Sequence, residues 1–140
     1  MMSGGLAWRE LEDVIDLPPE LSSARRARLW LGSELSGFPA SLIETAALLV
    51  SELTANAVIH ARTAVSVEVH SNGEGLVVAV SDASPQAPRL ADEPASPAES
   101  GRGLRMVEAL ADAWGVREHE SGKTIWFYLA RPTTDAHRSC

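Results

Sequence analysis

The stretch SELTANAVIHAR, Ser51 to Arg62, constrains the fold more than any other part of the chain. It reads as helix, and it carries Glu52, Asn56 and His60 at every fourth position among Leu, Val, Ile and Ala. Four residues of an α-helix advance the chain by about 400°, so the three side chains form one slightly drifting polar row. The remaining residues of such a helix are apolar and must be buried against another layer. The polar row is then either a solvated face or one wall of a binding site.

The flanking sequence supplies the other layer. The spacing of Leu42, Ala46, Leu49, Leu53 and Ala57 predicts a helix from about Ser41 to Ala61. An earlier helix is predicted from Glu20 to about Ser36, with Leu21, Ala24, Arg28, Leu31 and Leu35 in helical register and Gly37 and Pro39 ending it. Leu11 to Leu17 alternates and reads as an edge strand before Pro18 and Pro19. Two strands in hairpin order follow the polar row, AVSVEVH (Ala64 to His70) and GLVVAVSD (Gly75 to Asp82), with SNGEG as the turn.

Residues 83–100 hold four prolines and no periodicity, which predicts a long loop. Gly101 to Trp114 returns to helical spacing through Leu104, Val107, Leu110 and Ala111. Val116–Glu120 and Thr124–Ala130 read as a last hairpin turned at Ser121 and Gly122. The expected fold is α+β, a two-layer sandwich with helices on one face of a mostly antiparallel mixed sheet. Residues 1–16 are expected to be an N-terminal segment with the edge strand, 17–131 one domain, and 132–140 a loose tail.

Composition narrows the partners. The net charge of −7 leaves no basic patch for nucleic acid or anionic membrane. Arginine supplies eleven of the twelve basic residues, and Lys123 is the only lysine. One cysteine, Cys140, allows neither an intramolecular disulfide nor a cysteine-based metal site. The N-terminus lacks the pattern of a signal peptide, and no apolar segment approaches transmembrane length. The expectation is a soluble cytoplasmic domain.

Four constellations bear on chemistry. Glu52 and Asn56, one turn apart, suit a hydrated Mg²⁺ or the orientation of a nucleophile, since magnesium takes few protein oxygens and shares substrate phosphates. His60 reads equally as a residue favoured at a helix C-terminus. Nothing at zinc spacing accompanies it. VSDASP ends an apolar strand on Asp82, either as an Asx turn or as an acceptor for a ligand amine such as that of adenine. The G-R-G of ESGRGLRMVEAL opens a helix, either as a tight turn or as an anion site on freed backbone N–H groups. SGKT, Ser121 to Thr124, is no P-loop, because Arg117 stands where the first glycine belongs and a strand follows. No G-x-S-x-G nucleophile elbow is present.

The order of these signals is more specific than any one of them. Glu-x-x-x-Asn-x-x-x-His on a helix, a strand ending in Asp, a long loop, G-x-G opening a helix and a late Gly-Lys-Thr resemble the GHKL nucleotide-binding superfamily. The likeness is greatest to its anti-sigma-factor serine kinase branch and spans Leu17 to Arg131. The resemblance implies a Bergerat-type ATP-binding fold with ATP and Mg²⁺ as cofactors. It implies Glu52 as general base, Asn56 as Mg²⁺ ligand and Asp82 as acceptor of the adenine amine. His60 matches the histidine that follows the family's asparagine. Residues 83–100 would form the ATP lid, and Gly101, Arg102, Gly103 and Leu104 would line the phosphates, with the glycines offering backbone N–H groups. Thr124 would lie near the adenine end.

Implied partners are an anti-anti-sigma (STAS-type) protein or a sigma factor, and a homodimer through the ATPase domain. Two departures stand against the family pattern. Asp82-Ala83-Ser84-Pro85-Gln86 lacks the glycines of Asp-x-Gly-x-Gly, and PASPAES holds Glu99 where kinases of this branch commonly have an arginine. The sequence therefore supports two readings, an Mg-ATP-dependent serine kinase and a degenerate protein-interaction module.

Overall fold

The computed structural model describes residues 10–84 and 102–132. Its elements are β1 (Leu11–Leu17), α1 (Ser22–Glu34), α2 (Ala40–Asn56) continued by a π-helical turn (Ala57–Ala61), β2 (Val65–Ser71), β3 (Gly75–Asp82), α3 (Arg102–Leu110), β4 (Ala113–His119) and β5 (Gly122–Ala130). The strands form one sheet in the order β1-β2-β3-β5-β4. Every pairing among the described strands is antiparallel, so the sheet is not mixed.

Strand alternation builds the core. Val65, Val67 and Val69 of β2, Leu76, Val78 and Val80 of β3, and Ile125, Phe127 and Leu129 of β5 are buried on one face. The α2 residues Leu42, Ala46, Leu49, Val50 and Leu53 pack over them. The α1 stripe Ser23, Ala27 and Leu31 closes the layer against α2. Phe127 is fully buried at the centre, and truncating such a ring costs about 3–5 kcal/mol. Ser23 is buried too, and its Oγ donates to the Pro18 carbonyl at 2.6 Å, fixing the entry into α1.

Three sequence expectations are corrected. The helix predicted through Ala61 is α-helical only to Asn56, then widens to a π turn in which Arg62 N–H donates to the Ala57 carbonyl at 3.1 Å. Arg62 closes it in the left-handed region at φ 59°. The helix predicted through Trp114 stops at Leu110, because the sheet claims the next backbone groups. Asp112 N–H donates to the Tyr128 carbonyl at 2.9 Å, and its Oδ2 accepts Ala130 N–H at 2.8 Å. Trp114 therefore stands in β4 opposite Phe127. Finally, Ala40–Ala61 is, at 22 residues, long and apolar enough to cross a bilayer by length and composition. Its apolarity is accounted for by its place as the central core helix, packed on the sheet, α1 and α3.

Candidate functional site

Glu52 and Asn56 sit one turn apart near the C-terminal end of α2, and both are half-buried. His60, the third member of the row drawn from the sequence, lies on the π turn and is exposed, whereas Glu52 and Asn56 are half-buried. Between Glu52 and Asn56 in the sequence, Thr54 is fully buried, and among the described residues its Oγ1 has no hydrogen-bond partner. Sequence reasoning passed over this residue, for which a threonine inside an otherwise apolar helix face is the only signal.

The end of α2 is tied to the end of β3. Thr63, just past the π turn, accepts the Ala83 N–H on its Oγ1 at 3.0 Å. That bond fixes the chain as it leaves Asp82. Asp82 is 8% exposed, and its Oδ1 accepts the Ser84 N–H at 2.8 Å, an Asx turn. Its Oδ2 lies 2.9 Å from Lys123 Nζ, with the two side chains 5% and 10% exposed. An ionised carboxylate has about four lone-pair sites, so these two bonds leave acceptor capacity for a further donor.

The register places Lys123 directly opposite Asp82, and Thr124 opposite Ser81. Thr124 consequently leaves the sheet on the face opposite Asp82, away from the helices. Its Oγ1 is 2.7 Å from Ser81 Oγ and 3.3 Å from His119 Nε2. The expectation that Thr124 lies at the adenine end is corrected: the side chain beside Asp82 is that of Lys123. A signal was present in the sequence. Counting back by twos from Leu129, Phe127 and Ile125 puts residue 123 on the buried face. Gly122 permits the close approach, since its φ is +146° and a Cβ there would overlap the Asp82 carbonyl oxygen.

Of the residues expected at the phosphates, Leu104 is buried in the first turn of α3, which packs on α2. Arg102 and Gly103 begin that helix, and their side chains lie outside the described residues, as do Gly101 and residues 85–100 of the expected lid. Among the described residues no cluster of three or more His, Cys, Asp or Glu is suited to a metal. A site of one or two protein oxygens completed by substrate phosphates, the usual magnesium arrangement, fits the Glu52–Asn56 pair.

A sequence model of the histidine kinase-like ATPase domain matches residues 17–129. The chain belongs to this family. No curated protein matches it. The fold of this ATPase domain is similar to the crystal structure of the RsbU and RsbW domains of Rv1364c from Mycobacterium tuberculosis, with a TM-score of 0.67 and 22% identity. The match covers 88% of this chain and 34% of that one, so the chain spans about a third of that protein's length. The likeness bears on the fold. Family membership carries ATP binding as the expectation for this domain.

Proposed function

We propose that the chain is a cytoplasmic ATP-binding regulator of the anti-sigma-factor kinase type, transferring the γ-phosphoryl group of Mg-ATP to a serine of an anti-anti-sigma partner. The observation that carries this reading is the half-buried Glu52–Asn56 pair on a helix whose end is hydrogen-bonded to the exit of the Asp82 strand. In it, Asp82 receives the base amine through its remaining lone pairs. Asn56 would hold Mg²⁺ together with the phosphates, and the metal, when bound, would neutralise charge on the transferring group. Glu52 takes the proton from the serine hydroxyl as its oxygen bonds to the γ-phosphorus and the bond to ADP breaks. The backbone N–H groups opening α3 would meet the phosphates in the favourable sense of the helix dipole.

Isothermal titration of the purified chain with ATP, with and without Mg²⁺, tests the reading alongside Asn56→Ala. Micromolar binding that requires Mg²⁺ and weakens at least about tenfold in the variant is expected, as for loss of one metal ligand. Absence of binding by the wild type overturns it.

A second reading, a protein-interaction module without transfer activity, is favoured by one observation. Both Asp82 oxygens already hold partners, Ser84 and Lys123. Weak or absent ATP binding, or binding without phosphate transfer to any partner serine, separates this reading from the first.

A further inference from the structure

The sole lysine of the chain lies inside the site, where a carboxylate alone would suffice for an amine-bearing base. A carboxylate presents acceptors only. It matches the exocyclic amine of adenine and repels an oxygen at the same ring position. Lys123 changes that surface. Its Nζ is 2.9 Å from Asp82 Oδ2, on the same face of the sheet and directly across the β3–β5 register. An ammonium has three donors, and among the described residues Asp82 is the one acceptor shown for Lys123. The side chain is nine-tenths buried, where unused donors are costly and call for an acceptor.

We propose that Lys123 reads the base together with Asp82, and that the pair admits a 6-oxopurine, so that the site takes GTP as well as ATP. The inference rests on the nucleotide-binding reading above and specifies its substrate class. The chemistry is that of adjacent base-edge groups. Adenine offers a donor at N6 beside an acceptor at N1. Guanine offers an acceptor at O6 beside a donor at N1. An acceptor and a donor held side by side satisfy both edges, in opposite order. The holding is structural, because the Gly122 approach and the Asx turn at Ser84 fix the two strand ends that carry the pair. The other cross-strand neighbour of Lys123, Glu118, is exposed on β4 and forms no ion pair with it among the described residues.

The test is displacement of a fluorescent ATP analogue by ATP, GTP and ITP, in the presence of Mg²⁺, from wild type, Lys123→Met and Lys123→Gln. In the wild type, GTP and ITP are expected to compete within about fivefold of ATP. Lys123→Met is expected to weaken GTP and ITP at least about tenfold more than ATP, since an oxygen at C6 then faces only a carboxylate. Lys123→Gln, which restores a neutral donor, recovers part of the loss and serves where the methionine variant does not fold. Wild-type protein that binds ATP and not GTP or ITP overturns the inference while leaving nucleotide binding intact. So does a Lys123 variant that changes all three nucleotides equally. Failure of all three to displace the probe, with no direct ATP binding, overturns the nucleotide reading itself.

Discussion

Lys123 Nζ stands 2.9 Å from Asp82 Oδ2, in a cross-strand pair under the helical layer of the sheet. Both residues are 8% exposed, so neither charge has water to fall back on. Desolvation makes such a pair worth little as a whole and costly to break on one side only. Lys123→Met should therefore destabilise the domain by about 3 kcal/mol, because Asp82 is left buried and unpaired. Adding Asp82→Leu should return a good part of that loss. Urea unfolding of the two single variants and the double variant measures the coupling directly. Strict additivity of the two single effects would show that the charges do not depend on each other.

Gly122 is the hinge of this arrangement. At φ +146° an L side chain is strained, and a Cβ would overlap the Asp82 carbonyl and stand 2.7 Å from Ala83 Cα. Both obstacles are backbone and cannot swing aside. Gly122→Ala is expected to lower stability by about 3 kcal/mol. Thermal unfolding checks it, and a melting temperature within about two degrees of wild type would contradict the close approach.

The sequence was legible where one periodicity dominated. The alternation of Val65, Val67 and Val69 and the run ending at Asp82 placed β2 and β3, and the spacing of Leu42, Ala46, Leu49 and Leu53 placed α2. Glu52 and Asn56 were found because they share an unbroken α-helix. The π turn itself was not legible, because nothing in AVIHA distinguishes it from an α turn. Thr124 was put in place of Lys123 because β5 is apolar on both faces. Trp126 and Tyr128 alternate with Ile125 and Phe127, which obscures the parity that counting back from Leu129 gives, and pairing with β3 shows that residue 123 faces Asp82. The end of α3 was overrun for a related reason, since Ala111 continues the helical spacing while Asp112 is already bonded into the sheet.

The exposure of His60 leads to a contrast with Asn56. With its imidazole in solvent on the π turn, His60→Ala should change ATP affinity by less than about twofold, as surface substitutions usually do. The same titration that detects the loss in Asn56→Ala measures it. An effect of His60→Ala as large as that of Asn56→Ala would instead give the exposed imidazole a part in nucleotide binding.

Glu52 gives the sharpest separation between binding and chemistry. Glu52→Gln preserves the shape and half-buried volume of the side chain while removing its ability to take a proton. A positioned general base contributes about a hundredfold to ten-thousandfold to a rate, so phosphate transfer to a serine-bearing anti-anti-sigma partner should fall at least about a hundredfold. ATP affinity should stay within about threefold, since the base contributes to the transition state rather than to the ground state. Transfer followed with radiolabelled ATP, beside titration of the same variant, reads both quantities. Equal loss of binding and transfer would make Glu52 a part of the metal and phosphate site instead, and unchanged transfer would remove it from the reaction.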